Sequence, residues 1–158
     1  MKYCFIAVLV FFIYGCSVKN QNASTQSLNT LIISPMVKIH DVAFLKKENH
    51  MLNLEVYKLG RAFFQIKIKD KICLNFICYD KEVFNQKFFK NIYYEDILKD
   101  ILNKNVLWQG RNIEKTSCGF KQNLKSKNYE IFYQVCYDKV SFFDNISGIK
   151  IVLTYIQN

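Results

Sequence analysis

The sequence predicts an α+β domain in which an antiparallel β-sheet carries one main amphipathic helix. Three observations predict it. Two alternating apolar runs meet across a three-residue connection at residues 69–71, an apolar stripe at helical spacing follows at about 93–104, and strand-like segments separated by turn residues fill the rest. With 51% hydrophobic residues, a chain of 158 residues has enough apolar mass for one core and length for one domain, assigned to residues 31–158.

Taken in order, residues 31–38 contain Pro35, the only proline, which suits an edge strand or the entry to a strand. Leu52, Leu54 and Val56 alternate with polar residues, as in a half-buried strand. Phe64, Ile66 and Ile68 alternate likewise, and Ile72, Leu74, Phe76 and Cys78 resume the apolar phase after the connection. Pairing Ile68 with Ile72 and Ile66 with Leu74 puts every apolar side chain on one face, which fixes the register of a hairpin. Asp80 can cap a short helix over about 81–90, with Phe84 and Phe88 one turn apart. In the main helix, Ile97 with Ile101 and Leu98 with Leu102 form the apolar stripe. Glu95–Lys99 and Asp100–Lys104 supply opposite charges four apart, and Asn103 or Asn105 can end the helix. After Trp108, segments 113–122, 129–143 and 149–156 read as three strands, with residues 144–148 (DNISG) turning between the last two. Residues 77–84 and 135–142 agree at five of eight positions, but their flanks do not align, so no repeat architecture is expected.

The amino terminus carries a separate signal. Lys2 precedes an apolar run over residues 5–14, long enough for a signal-peptide core and too short to span a bilayer. Ile13-Tyr14-Gly15-Cys16 resembles the lipobox of bacterial lipoproteins, with Ile13, Gly15 and Cys16 matching and Tyr14 bulkier than usual at a tolerant position. The resemblance implies a signal peptide over residues 1–15, cleavage between Gly15 and Cys16, and lipid on Cys16. Two or three acyl chains anchor a protein stably, where one is marginal. Ser17, rather than an aspartate, follows the cysteine, and by the sorting logic of the lipoproteins it resembles this implies the outer membrane over the inner, on its periplasmic or cell-surface side. Residues 16–30 are polar and nearly free of large apolar side chains, and are read as the lipidated terminus and a flexible tether.

Cys73, Cys78, Cys118 and Cys136 remain for an oxidising compartment. A hairpin turning near residues 126–128 brings Cys118 and Cys136 onto one face of neighbouring strands, making them the preferred disulfide. On a straight strand Cys73 and Cys78 would lie about 16 Å apart and on opposite faces, so a second bridge there needs a bend; otherwise they are buried thiols.

No catalytic motif accompanies the two histidines, His40 and His50, and the cysteines lack the spacing of a zinc site or a redox pair. No metal or cofactor is expected. The net charge of +9 comes from scattered lysines rather than a phosphate-tracking cluster, so no nucleic-acid partner is expected. Trp108, beside Gly110 and Arg111, is a candidate partner contact, set against ordinary packing of an indole. The expected function is therefore non-catalytic: a lipid-anchored envelope protein with an interaction, accessory or assembly role and an envelope protein as partner. The alternatives are a binding module for a small or acidic ligand or wall polymer, and a hydrolase using paired carboxylates.

Overall fold

The computed structural model describes residues 23–157; the signal segment, Gly15 and Cys16 lie outside the described residues. Strands β1 (Ala23–Ile33), β2 (Lys38–Glu48), β3 (Met51–Lys58), β4 (Arg61–Ile68), β5 (Ile72–Leu74) and β6 (Ile77–Tyr79) form one antiparallel meander. Two helices follow, α1 (Lys81–Phe89) and α2 (Ile97–Asn103), then a 3-10 turn at Trp108–Gly110. A second meander comprises β7 (Ile113–Thr116), β8 (Gly119–Lys125), β9 (Glu130–Cys136), β10 (Lys139–Asp144) and β11 (Ile149–Tyr155). Antiparallel pairing of β1 with β11 joins the two into one eleven-stranded sheet, in the order β6-β5-β4-β3-β2-β1-β11-β10-β9-β8-β7. The class is α+β, with far more sheet than helix.

One face of this sheet is apolar because the strands alternate: Leu54 and Val56 of β3, Phe64 and Ile66 of β4, Val140 and Phe142 of β10, and Ile151 and Leu153 of β11 are all buried. Phe84, Phe88 and Phe89 of α1 and Ile97, Leu98, Ile101 and Leu102 of α2 join them in one core. Three tyrosine hydroxyls tie the helical segment to the sheet. Tyr155 donates to the Leu102 carbonyl at 2.7 Å, Tyr133 to the Asn105 carbonyl at 2.8 Å, and Tyr93 to Asp144 at 2.6 Å.

The hairpin register over β4 and β5 is the one the alternation predicts, Ile68 opposite Ile72 and Ile66 opposite Leu74. Several other expectations need correction. Residues 23–30, read as tether, form most of β1; polar side chains do not prevent a strand whose main chain is bonded to β2 and, from Leu28 on, also to β11. Pro35 marks no edge: it lies in the turn after β1, which is the strand at the middle of the sheet. The expected strand over 129–143 breaks at Tyr137 (φ 48°), and the one over 113–122 breaks before Gly119. A Cβ on Gly119 would meet the Val135 carbonyl oxygen at 2.2 Å, so that crossing needs glycine. The main helix is shorter than expected, ending at Lys104 in left-handed conformation, while Glu95 precedes it. Asp80 sits at the N-cap position of α1, but its side chain pairs with Lys71 at 2.9 Å instead of capping.

Candidate functional site

Trp108 and Arg111 line an open cleft of about 520 Å³ together with Tyr94, Asp96, Asp100 and Gln109. The cleft lies between the α1–α2 connection with α2 on one side and the segment that leads from α2 to β7 on the other. Its shape comes from an uncommon backbone: Trp108 (φ 43°), Gln109 (φ 56°) and Gly110 (φ 84°) are consecutive left-handed residues. A non-glycine residue held there costs roughly 1–3 kcal/mol and persists only where its surroundings over-determine it.

Gln122 of β8 does so. It is fully buried, its Oε1 accepts from the Leu107 N–H at 2.7 Å, and its Nε2 donates to the carbonyls of Leu107 at 2.9 Å and Arg111 at 2.6 Å. One side chain thus clamps both ends of the turn. Asn112 adds a bond to the Asn123 carbonyl at 3.1 Å. The indole is held as firmly as the backbone: it stacks on Tyr129 at 5.4 Å between centroids and meets the edges of Tyr94 at 5.0 Å and Tyr93 at 5.7 Å. Trp108 is therefore partly a packing residue and partly a wall of the cleft.

The two carboxylates that line the cleft are both engaged. Asp96 accepts from Lys81 Nζ at 2.7 Å, and Asp100 accepts from the Tyr94 hydroxyl at 2.8 Å and from Asn105 Nδ2 at 3.0 Å. Burial pushes the Tyr94 phenol up, and its hydrogen bond to Asp100 pushes it further, so it stays a donor. Asp100 does not pair with Lys104 as the helical spacing predicts; Lys104 instead lies 3.5 Å from Asp138 and over the Tyr155 ring. Arg111 has its carbonyl fixed by Gln122, and the residue is exposed, with no ion pair to its guanidinium among the described residues.

Joined to this cleft through Tyr93 sits a buried acid that accepts four hydrogen bonds. Asp144 is 1% exposed; burial alone would raise it, but bonds from Ser147, Tyr93 and the N–H groups of Glu130 and Ile146 hold it below the ordinary carboxylate range. A second hollow, about 590 Å³, lies between the β1–β2 and β10–β11 turns beside Lys38 and Lys90. Its serine hydroxyls are already committed, Ser34 to Met36 and Val37 and Ser147 to Asp144.

The cysteines form two bridges. Cys118 and Cys136 are joined across the β7–β8 turn and the end of β9, 18 residues apart. Cys73 and Cys78 are also joined, because the chain does not continue straight: it turns at Asn75 (φ 53°) and Phe76, placing the two cysteines opposite one another on β5 and β6. His40 lies exposed on β2 and His50 exposed in the turn after it, and neither lines the cleft. Among the described residues no group of three or more metal-ligating side chains converges.

Sequence reasoning reaches Trp108 and Arg111 but misses Tyr94, Asp96, Asp100 and Gln122. A Trp-Gln-Gly run after a helix is the only local signal of the turn. Nothing near Gln122 in sequence points to a clamp. The chain matches no protein-family model and no curated protein sequence.

Proposed function

We propose that this chain is a lipid-anchored lipoprotein of the cell envelope with a non-catalytic interaction, accessory or assembly role, using the Trp108 cleft to hold its partner. The observation that carries the reading is the clamped left-handed turn. A fold that holds strained residues with a buried glutamine keeps an aromatic wall in place and fixes the main chain from which Arg111 projects, which is how recognition surfaces are preorganised. The lipobox-like segment ending at Cys16 supplies the address, with the outer membrane favoured over the inner. The two engaged aspartates support a binding surface better than an acid–base pair, since each already serves the fold.

A photo-crosslinking residue at the exposed Gln109 tests the role in intact envelopes. An envelope protein should be captured there, and capture should fall at least tenfold in Trp108→Ala and Arg111→Glu variants of unchanged thermal stability. Capture that is absent, or insensitive to both, overturns the reading. Intact mass tests the anchor: residues 1–15 absent and acyl mass on Cys16.

The cleft volume also favours a second reading, a module for a small ligand or a wall-polymer fragment, because it falls within the usual range of ligand sites. Calorimetric titration with soluble wall fragments distinguishes it.

A further inference from the structure

Two turns that take no part in the Trp108 cleft carry large apolar side chains almost entirely in water. Phe76, on the turn clipped by the Cys73–Cys78 bridge, is 99% exposed, and Leu59, on the β3–β4 turn, is 96% exposed. Phe63, 59% exposed, lines both hollows beside them and makes the two tips one continuous strip. Phe63 is the extra residue of a β-bulge opposite Val56 and Tyr57, and next to the buried Phe64 it faces outward by the ordinary alternation of a strand.

Neither tip is a floppy loop. Asn75 accepts from the Gln65 N–H at 2.9 Å through its side chain and donates its own N–H to the Gln65 carbonyl at 2.8 Å, so the bridge and β4 together fix the base of the Phe76 turn. Two cations flank the Leu59 tip, Lys58 and Arg61, and neither has an acidic partner among the described residues. Glu55, the carboxylate that lines the hollow beside Phe63 and Phe76, is already neutralised by Lys46 at 2.8 Å.

We infer that this strip inserts into the surface of an anionic lipid bilayer, as a second membrane contact separate from the lipid on Cys16. Three features select a bilayer as the occupant. Leu59 and Phe76 stand at turn tips almost entirely in solvent, with only open hollows beside them, and a projecting apolar side chain gains most from a fluid apolar medium that closes around it. Three side chains fall well short of the ~1,200 Å² that a stable protein interface buries. The charges beside them that lack an acidic partner among the described residues, Lys58 over the Phe63 ring and Arg61, are both positive, matching anionic headgroups.

Chain lengths agree with a shared bilayer. Ala23 lies at the end of the sheet that holds the β2–β3 turn, while the Leu59 turn lies eight residues further along β3 from Met51, about 26 Å at strand spacing. Residues 16–22 span at most about 24 Å. An inclined sheet therefore lets the anchor and the strip reach one membrane together, and a second weak contact on a tethered domain acts at high effective concentration.

The test uses the mature chain, residues 16–158, carrying Cys16→Ser, so that neither covalent lipid nor the apolar run over residues 5–14 plays a part, sedimented with vesicles of one part phosphatidylglycerol to two parts phosphatidylcholine. Two further variants on that background are prepared identically. Leu59→Ser with Phe76→Ser should weaken partitioning at least tenfold; Lys58→Ala with Arg61→Ala should weaken it about thirtyfold on anionic vesicles, from about 1 kcal/mol per cation. In a Phe76→Trp variant, the added emission should be quenched by brominated lipid chains. Partitioning unchanged in both double variants, or added emission in the Phe76→Trp variant that brominated chains leave unquenched, overturns the proposal. So does self-association without vesicles that the Leu59/Phe76 variant abolishes, which would make a second copy the occupant.

Discussion

A buried glutamine that bonds three main-chain groups of a strained turn leaves two of them orphaned when it is replaced. Gln122→Leu keeps the apolar volume but removes the partners of the Leu107 N–H and the Arg111 carbonyl, while the Leu107 carbonyl still accepts from the Gly110 N–H at 3.0 Å. Each orphaned buried group costs about 1–3 kcal/mol, and some regain water at the cleft rim, so the expected loss is about 2–4 kcal/mol. Urea unfolding should show it as a lower midpoint at unchanged slope, with Trp108 emission in the native state shifted as its turn relaxes. Asp144 makes a prediction of the opposite kind, in pH. Its folded pKa is held below the unfolded value, so its contribution is present above about pH 4 and is lost as pH falls through the folded pKa. Asp144→Asn should therefore be less stable at neutral pH and lose less stability than the parent between about pH 5 and pH 3. Thermal melts of both proteins across that window measure it; parallel curves would remove Asp144 as a source of acid sensitivity.

At the scale of elements, what the sequence reveals depends on whether side chains or backbone decide the structure. The β4–β5 hairpin is legible because apolar residues in strict phase leave one register that buries them. β1 is not legible over residues 23–30, because its place comes from main-chain bonds to two neighbours, one of them more than 100 residues away. The Phe76 turn is hidden for the same reason. Alternation carries straight through Leu74, Phe76 and Cys78, and only the bridge and the Asn75–Gln65 bonds reverse the chain. The Trp108 cleft is half legible: an indole beside glycine draws notice, but the clamp arrives from β8. The two bridges differ in how much chain they close, 18 residues against 5. Loop-closure entropy then gives about 3 kcal/mol for Cys118–Cys136 and about 2 kcal/mol for Cys73–Cys78. Paired Cys→Ala variants should rank in that order by chemical denaturation. Loss of the shorter bridge should also speed amide exchange around the Phe76 turn without touching the Trp108 cleft, a pattern that hydrogen–deuterium exchange resolves.

The whole molecule is two meanders closed on one another by a single seam. Residues Leu28 to Ile33 of β1 pair with Lys150 to Tyr155 of β11, and the helical segment between the meanders shares one core with both. Neither half presents a complete core alone: Phe89 of α1 meets Phe142 of β10, and Tyr155 of β11 bonds the end of α2. Because the seam links the first described strand to the last, it forms only after the long intervening loop is closed, which places folding in the slow, millisecond-to-second range of non-local sheets. One cooperative transition is then expected. Trp108, the single tryptophan, reports the region between the meanders, while far-UV circular dichroism reports strands of both. The two signals should melt together, and truncation after Gly148, which removes Ile149, Ile151, Leu153 and Tyr155 from the core, should unfold β1 to β6 as well as β7 to β10. Separate transitions, or a truncated chain that keeps the native exchange protection of β2 to β4, would mean that the first meander stands by itself. The seam would then be a docking joint between two units rather than the closing step of one fold.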